Sequence, residues 1–199
     1  MKIYFLRHGE TELNVLRKYY GVTDVSLTEH GRLQMREVAR DIQGLEITRV
    51  IVSSLKRTTE SAEIIMKKNN LKSLKKESCS FFNERDFGAW ETLDANEVEA
   101  AFPSDWRAFI EDPFSVTPSG GETYLAFQRR VLDGFEQLLK ASVDTDHILF
   151  IGHGGVIREL VANFFEPDKS YWDIVINNGQ LYEYEVKKIC ECRVFGYKM

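Results

Sequence analysis

Three short apolar runs, each followed closely by an arginine or a histidine, constrain the fold of this chain most. They lie at residues 3–6, ahead of Arg7 and His8, at 49–52, ahead of Arg57, and at 147–151, ahead of His153. Runs of this length are typical of buried strands. Open α/β sheets carry their functional groups at the carboxyl ends of the strands. The pattern therefore predicts that two arginines and two histidines meet at one edge of a sheet, in a pocket suited to a dianion.

Helical patterns separate these runs. Apolar side chains recur at helical spacing in residues 29–42, 58–68, 123–140 and 156–165. The segment from Ser26 to Glu29 has the spacing of a capping box and predicts the start of the first of these helices. Alternation of strands and helices favours a three-layer α/β sandwich, in which a mostly parallel central sheet has helices on both faces.

Two segments depart from this alternation. Near the C-terminus, Asn178-Gly179 separates the runs 173–176 and 181–186, which predicts an antiparallel hairpin. The aromatic-rich block at about 81–122 predicts a lid-like insertion with helices over the strand ends. A chain of 199 residues accommodates all of these elements in a single domain, residues 1–199.

Charge and composition exclude several classes of function. The net charge of -5 and a sequence pI near 5.5 argue against a general nucleic-acid-binding protein. No apolar run is long enough to span a membrane and no secretion leader is visible, so we expect a soluble, cytoplasmic protein. Cys79, Cys190 and Cys192 are expected to be reduced thiols, because their number is odd and their spacing matches no metal site. The sequence leaves open whether the protein forms a homo-oligomer.

Four motifs, in this order along the chain, resemble those of the histidine phosphatase superfamily, which has the phosphoglycerate-mutase-like fold. They are LRHGETELN at 6–14, DVSLTEHG at 24–31, SSLKRT at 53–58 and GHGGVIR at 152–158. Within the insertion, ERDFGAWE at 84–91 is similar to the segment that carries the proton donor in the phosphatases of this superfamily. The resemblance extends over nearly the whole chain and implies a phosphomonoesterase with a phosphohistidine intermediate.

The same resemblance implies a role for individual residues. His8 is the expected nucleophile, Glu84 the expected proton donor, and His153 is expected to donate to a phosphoryl oxygen. The groups implied in binding the substrate phosphate are Arg7, Asn14, Arg57 and the backbone N–H near Gly154. This scheme requires no metal ion and no cofactor, and its partner is a small phosphate monoester.

Elementary chemistry explains why a phosphatase needs these residue types. A phosphate monoester carries nearly two negative charges, and the planar fork of an arginine binds phosphate oxygens through two parallel hydrogen bonds. Nearby arginines also disfavour the imidazolium form, which keeps a nucleophilic histidine neutral. An alkoxide is a poor leaving group, so a carboxylic acid should protonate the ester oxygen.

Some assignments have alternatives within the sequence. Asp86 and Glu91 lie near Glu84, and either would replace it as the acid if the loop had a different register. Glu10 is expected to be a hydrogen-bonding partner rather than a catalytic group. The two remaining histidines receive no catalytic role.

The insertion should determine the substrate. Residues 102–113 and 118–123 resemble the α-ribazole phosphatase branch, which implies hydrolysis of α-ribazole 5′-phosphate to α-ribazole and phosphate in cobalamin biosynthesis. Four aromatic residues would either stack on the benzimidazole ring or form the core of the insertion. They are Phe87, Trp90, Trp106 and Phe109. The alternatives are a broad-specificity sugar-phosphate phosphatase, a phosphoglycerate mutase and a non-catalytic phosphate-binding module.

Overall fold

The computed structural model describes residues 1–186 and has a five-stranded sheet at its centre. The strands are β1 (Lys2–Arg7), β2 (Arg49–Val52), β3 (Lys76–Ser78), β4 (His147–Gly152) and β5 (Leu181–Glu185). Their order is β3-β2-β4-β1-β5, in which β5 is antiparallel to β1 and all other pairs are parallel. The predicted α/β class with a mostly parallel sheet is confirmed.

The described residues form seven α-helices. They are α1 (Glu12–Val15), α2 (Glu29–Asp41), α3 (Lys56–Lys68), α4 (Ala95–Ala101), α5 (Pro103–Glu111), α6 (Tyr124–Lys140) and α7 (Gly154–Leu160). Short 3₁₀ turns lie at Leu71–Ser73, Ser80–Phe82, Gly88–Trp90 and Tyr171–Asp173, and a π-helical turn, Val161–Phe165, extends α7. Within residues 1–186, every helix is too short or too polar to cross a membrane.

The alternation of side chains along β1 divides the core into two halves. Ile3 and Phe5 pack on the face that α6 and α7 cover, whereas Tyr4 and Leu6 pack on the face that α2 and α3 cover. All four side chains are at most 2% exposed. Because both faces of the strand are buried, every position is apolar and the strand appears in the sequence as a continuous run.

The first long helix begins two residues later than the sequence predicts. Its N-cap is Thr28 rather than Ser26, and the Thr28 hydroxyl oxygen accepts a hydrogen bond from the backbone N–H of Gly31 at 2.9 Å. The backbone N–H of Thr28 also donates to the carbonyl oxygen of Glu10 at 2.9 Å. This bond joins the helix start to the loop after β1, and it accounts for the later cap.

The antiparallel strand near the C-terminus is present, but the predicted hairpin is wrong because β5 pairs with β1. Residues 173–176 do not form a strand. The carbonyl oxygen of Ile176 accepts from Nη1 of Arg7, and that of Ile174 accepts from Nε of Arg158, both at 2.9 Å. These carbonyls therefore accept hydrogen bonds from arginines instead of from a neighbouring strand. The backbone N–H and C=O groups of β5 pair with the free edge of β1.

The cysteine predictions concern two parts of the chain. Cys79 is a free, half-buried thiol. Cys190 and Cys192 lie outside the described residues.

Candidate active site

The two arginines and two histidines predicted to meet do so at the carboxyl ends of β1, β2 and β4. Arg7 is the last residue of β1, His153 follows β4 directly, and Arg57 lies in the first turn of α3. The rings of His8 and His153 have centroids 5.3 Å apart, and Nε of Arg57 donates to Nδ1 of His153 at 3.2 Å. This part of the predicted site is therefore assembled as expected.

His8 is held as a neutral imidazole with one free lone pair. Its Nδ1 lies 2.8 Å from the carbonyl oxygen of Gly9, and since a carbonyl can only accept, Nδ1 carries the proton and Nε2 carries the lone pair. Burial lowers the pKa of His8 well below 6.5, and the charges of Arg57 and Arg7 lower it further. The ring therefore has the protonation state that a nucleophile needs.

Close backbone packing fixes the loop that carries His8. A Cβ on Gly9 would lie 2.5 Å from the carbonyl oxygen of Gly31, so a side chain there would force the loop away from α2. The backbone N–H of Gly9 donates to Oγ of Ser61 at 3.1 Å. The side-chain amide of Asn178 donates to the carbonyl oxygen of His8 at 2.8 Å. The nucleophile candidate is thus braced by α2, α3 and the C-terminal segment.

Arg57 is almost completely buried, with 1% of its surface exposed. Its Nη2 donates to the carbonyl oxygen of Gly21 at 2.7 Å and its Nη1 to that of Thr23 at 3.0 Å. The guanidinium lies over the ring of Tyr20, 4.8 Å from the centroid. These neutral partners orient the guanidinium without cancelling its positive charge.

The site contains arginines that form no ion pair with a carboxylate of the described residues. Four arginines at this end of the sheet are buried or half-buried, namely Arg7, Arg57, Arg85 and Arg158. Within residues 1–186, none of their guanidinium groups lies within 4.0 Å of a carboxylate oxygen. Nε of Arg7 is buried and has no hydrogen-bond partner among the described residues. Because buried donors are normally satisfied, this one is available to an acceptor from outside the chain.

Glu84 extends from the insertion to the start of α7. Its Oε2 accepts from the backbone N–H of Gly155 at 2.9 Å, and its Oε1 accepts from the backbone N–H of Arg85 at 3.0 Å. A Cβ on Gly155 would lie 2.5 Å from Oε1, so only glycine allows this position of the carboxylate. The negative charge of Glu84 is felt by both Arg7 and Arg57, whose pKa values are lowered mainly by burial and raised in part by Glu84.

The two alternative acids have structural roles instead. Glu91 accepts hydrogen bonds from the backbone N–H groups of Gly21 at 2.7 Å, Thr23 at 3.0 Å and Phe87 at 3.0 Å. It therefore ties the loop that holds Arg57 to the insertion. Oδ1 of Asp86 accepts from the N–H of Gly88 at 2.8 Å, which caps a turn. Of the three carboxylates, Glu84 is the one that lies against α7.

Asn14 and Gly154, the two other predicted phosphate-binding residues, each have a hydrogen-bond donor. The amide oxygen of Asn14 accepts from the backbone N–H and the hydroxyl of Thr11, both at 3.1 Å, so its NH₂ group is left as the donor. Gly154 is the first residue of α7, where a backbone N–H has no acceptor within the helix. A Cβ on Gly154 would lie 3.4 Å from Cζ of Arg7, so this residue lies beside the guanidinium. Glu10, expected as a hydrogen-bonding partner, accepts from the Thr28 hydroxyl at 2.9 Å.

The aromatic residues of the insertion pack against one another. Tyr19 makes ring contacts at 5.4–6.3 Å with Phe87, Trp90, Trp106 and Phe109, and Trp90 is fully buried. Of the two readings that the sequence left open, these contacts favour the core of the insertion.

Exposed aromatic surface lies elsewhere, on Phe114 and Trp172. Their rings are stacked with centroids 5.6 Å apart, and they are 37% and 54% exposed. Arg158 lies over the rings of Trp172 and Tyr171, at 5.7 and 5.1 Å. Arg158 and Arg7 both donate to carbonyl oxygens of the segment 174–176, at 2.9 Å each, which connects this aromatic surface to the arginine pocket.

Sequence reasoning missed two polar residues of the pocket, the buried Ser53 and the half-buried Tyr20. Oγ of Ser53 lies 2.8 Å from Nε2 of His153, and the hydroxyl of Tyr20 lies 2.8 Å from that of Thr11. Ser53 belongs to the same motif as Arg57, so its position in SSLKRT was the available signal. Among residues 1–186, no three His, Cys, Asp or Glu side chains form a set of metal ligands.

Comparison with known proteins identifies the family. Residues 3–191 match the histidine phosphatase superfamily (branch 1). The chain is 29% identical over 180 residues to the adenosylcobalamin/alpha-ribazole phosphatase of Salmonella typhimurium, covering 90% of this chain and 87% of that protein. It is 27% identical over 180 residues to phosphoserine phosphatase 1 of Hydrogenobacter thermophilus, covering 90% and 83%.

Solved structures agree with this match. The alpha-ribazole phosphatase from Shigella flexneri superimposes with a TM-score of 0.87 at 25% identity, covering 94% of this chain and 92% of that one. Its fold and the order of its elements therefore extend over nearly the whole chain. The protein belongs to the histidine phosphatase superfamily and is a phosphatase.

Proposed function

We propose that this phosphatase hydrolyses α-ribazole 5′-phosphate through a phosphohistidine on His8. The observation that carries the mechanism is the free lone pair on Nε2 of a buried, neutral His8, next to arginines without carboxylate partners. Such a pocket attracts a phosphate dianion and presents an unprotonated nucleophile to it at the same time.

In the first step, Nε2 of His8 attacks phosphorus while the bond from phosphorus to the ester oxygen breaks. The phosphoryl oxygens are held by Arg7, Arg57, the Asn14 amide and the N–H of Gly154. Glu84 enters this step in its protonated form and gives that proton to the leaving oxygen, so that the alcohol departs neutral. The products of this step are the free alcohol, the Glu84 carboxylate and a phosphorylated His8.

In the second step, water attacks the phosphorus of phosphohistidine. The Glu84 carboxylate takes a proton from that water, the bond between nitrogen and phosphorus breaks, and inorganic phosphate leaves. Two displacements replace one difficult step, and Glu84 ends in its starting protonation state. No metal ion or cofactor is required in either displacement.

Two observations support α-ribazole 5′-phosphate as the substrate. Proteins similar to this chain over most of its length are named alpha-ribazole phosphatases. The exposed rings of Phe114 and Trp172 offer an apolar surface next to the arginine pocket, and the flat benzimidazole of α-ribazole suits such a surface. This activity would place the protein in cobalamin biosynthesis in the cytoplasm.

A panel of esters tests this proposal. Phosphate release is measured with α-ribazole 5′-phosphate, ribose 5-phosphate, phosphoserine, phosphoglycerates and nucleotides, with EDTA present, and kcat/KM values are compared. A strong preference for α-ribazole 5′-phosphate is expected. Equal activity on all esters would instead indicate a broad-specificity phosphatase, and loss of activity in EDTA would contradict a metal-independent mechanism.

A further inference from the structure

The proposed mechanism leaves the buried carboxyl group of Glu159, on α7, without a role. This side chain is completely buried. Its Oε1 accepts from the hydroxyl of Tyr124 at 2.5 Å, and its Oε2 accepts from Nε2 of Gln128 at 3.1 Å. Nδ2 of Asn163 is a second amide donor to Oε2, at 3.4 Å. A buried carboxylate costs stability unless donors satisfy it, and an apolar side chain of similar volume often fills such a space at lower cost.

Two tyrosines approach this carboxylate from different parts of the chain. Tyr124 is the first residue of α6, and Tyr171 is the first residue of the 3₁₀ turn Tyr171–Asp173. Burial raises the pKa values of both hydroxyls, and the negative charge of Glu159 raises them further, so both keep their protons. Burial also raises the pKa of Glu159, whereas hydrogen bonds from Tyr124 and Tyr171 lower it. One carboxylate therefore holds the hydroxyl ends of two aromatic side chains.

These tyrosines support the exposed aromatic stack, which consists of Phe114 and Trp172. The ring of Tyr124 packs on that of Phe114 with centroids 4.5 Å apart. The ring of Tyr171 contacts Phe114 at 5.3 Å and Trp172 at 5.1 Å. The stacked pair is exposed, the tyrosines are half-buried and Glu159 is completely buried. The carboxylate thus lies beneath the tyrosines, and the tyrosines lie beneath the aromatic stack.

The helix that carries Glu159 also reaches the phosphate pocket. Gly154, the first residue of α7, supplies the backbone N–H proposed to bind a phosphoryl oxygen, and Glu159 follows five residues later. A helix rises 1.5 Å per residue, so the two residues are separated by about 7.5 Å along its axis. Because a hydrogen-bonded helix does not change length, α7 fixes the distance from the phosphate pocket to the base of the aromatic stack.

We propose that Glu159 is a positioning residue that determines substrate specificity. Through Tyr124 and Tyr171 it holds the aromatic stack at a fixed distance from the arginine pocket, where the stack binds a flat aromatic ring in the leaving group of the ester. Glu159 itself touches neither the substrate nor the reacting atoms. The inference rests on the proposed function, because it takes a phosphate ester with such a ring as the substrate.

The preference for an ester that carries a ring tests this inference. It is measured as the ratio of kcat/KM for α-ribazole 5′-phosphate to kcat/KM for ribose 5-phosphate, which lacks the ring. Glu159→Leu removes both acceptor oxygens and releases both tyrosines. It should lower this ratio about 3–10-fold, the loss expected for one aromatic contact. The loss should appear in KM for α-ribazole 5′-phosphate more than in kcat, because Glu159 touches no reacting atom.

Further variants separate positioning from a loss of stability. Glu159→Gln keeps an oxygen for the Tyr124 hydroxyl, and its NH₂ group can bond to the amide oxygen of Gln128 once that amide has turned over. This variant should retain most of the preference. Tyr124→Phe keeps the ring without its hydroxyl and should lower the ratio. Combining it with Glu159→Leu leaves no unpaired hydroxyl on residue 124, so stability should recover while the ratio stays low.

Gln128→Met is the matched control, because it removes a donor from the same carboxylate without releasing either tyrosine. It should leave the ratio unchanged, and a loss as large as that in Glu159→Leu would overturn the inference. The same holds for a ratio that Glu159→Leu leaves unchanged, or that recovers together with stability in the combined variant. A wild-type ratio near one would refute the proposed substrate itself, and the inference with it. A wild-type preference that survives Glu159→Leu would refute only the inference.

Discussion

Substituting Gly155 displaces the proposed general acid without changing it. A Cβ at this position would lie 2.5 Å from Oε1 and 3.2 Å from Cδ of Glu84. A carboxylate at the end of a flexible side chain yields more easily than the helix does, so Gly155→Ala should move it by about 1 Å. Because alanine favours a helix more than glycine does, the fold should not be weakened.

The size of the expected effect follows from this displacement. A misplacement of about 1 Å at a reacting group costs on the order of 10²-fold in rate, within the range of about 10²–10⁴-fold that a general acid supplies. A 10²-fold loss corresponds to about 2.7 kcal/mol in the activation barrier. This loss should appear in kcat for esters with alkyl leaving groups. Nitrophenyl phosphate should lose little, because nitrophenolate leaves without protonation.

Steady-state kinetics of a double-mutant cycle measure the effect. The cycle compares wild type, Gly155→Ala, Glu84→Gln and the double variant on an alkyl and a nitrophenyl ester. If Gly155→Ala acts only through Glu84, the double variant should be no slower than Glu84→Gln alone. Additive losses, or equal losses on both esters, would refute the assignment of Glu84 as the acid.

Three other perturbations have defined outcomes. Arg57→Lys should lower kcat/KM for all phosphate esters about 10–100-fold, because the compact ammonium of lysine cannot replace a planar guanidinium that bonds through Nε, Nη1 and Nη2. A loss that is confined to one ester would contradict this. Trp172→Ala should lower kcat/KM about 3–10-fold for α-ribazole 5′-phosphate but not for ribose 5-phosphate. The control is Ile110→Ala, at a site 63% exposed, and equal losses on both esters would count against a ring subsite. The lowered pKa values of His8 and His153 mean that the unfolded chain binds protons that the folded chain does not. The stability that the two neutral histidines contribute should therefore be fully present above pH 6.5. Below this pH the free energy of unfolding should fall by about 1.4 kcal/mol per pH unit for each histidine. In urea unfolding, His8→Gln should reduce this pH dependence of the free energy of unfolding by about 1.4 kcal/mol per pH unit, the contribution of one histidine. An unchanged pH dependence would contradict the burial argument.

Local patterns predicted the central sheet and the residues at its edge well, for a physical reason. Strands buried on both faces must be apolar at every position, so β1 and β4 appear in the sequence as uninterrupted runs. The carboxyl ends of parallel strands meet at one edge of a sheet, which brings Arg7, Arg57 and His153 together. The approach of Arg57 to His153 thus follows from topology.

Properties that depend on partners distant in sequence could not be predicted. Asn178-Gly179 has the composition of a hairpin turn, but the competition for β5 was decided by the free edge of β1. The carbonyls of Ile174 and Ile176 were already used by arginines. No local pattern shows this, because the arginines come from other parts of the chain.

Aromatic composition likewise could not show which rings face solvent. The insertion contains five aromatic residues of this kind, of which only Phe114 stacks with Trp172 from a different segment. The other four are Phe87, Trp90, Trp106 and Phe109. Similarly, the protonation of His153 depends on the direction of bonds to Arg57 and Ser53, which only the folded arrangement reveals.

The most direct test of the central claim is to trap the covalent intermediate. The enzyme is mixed with ³²P-labelled ester, quenched in alkali within milliseconds, and the labelled peptide is identified by mass spectrometry. The account predicts a phosphoryl group on His8 that is stable in alkali and labile in acid, and that is absent in His8→Ala. A label on another residue, or phosphate release at full rate by His8→Ala, would contradict it.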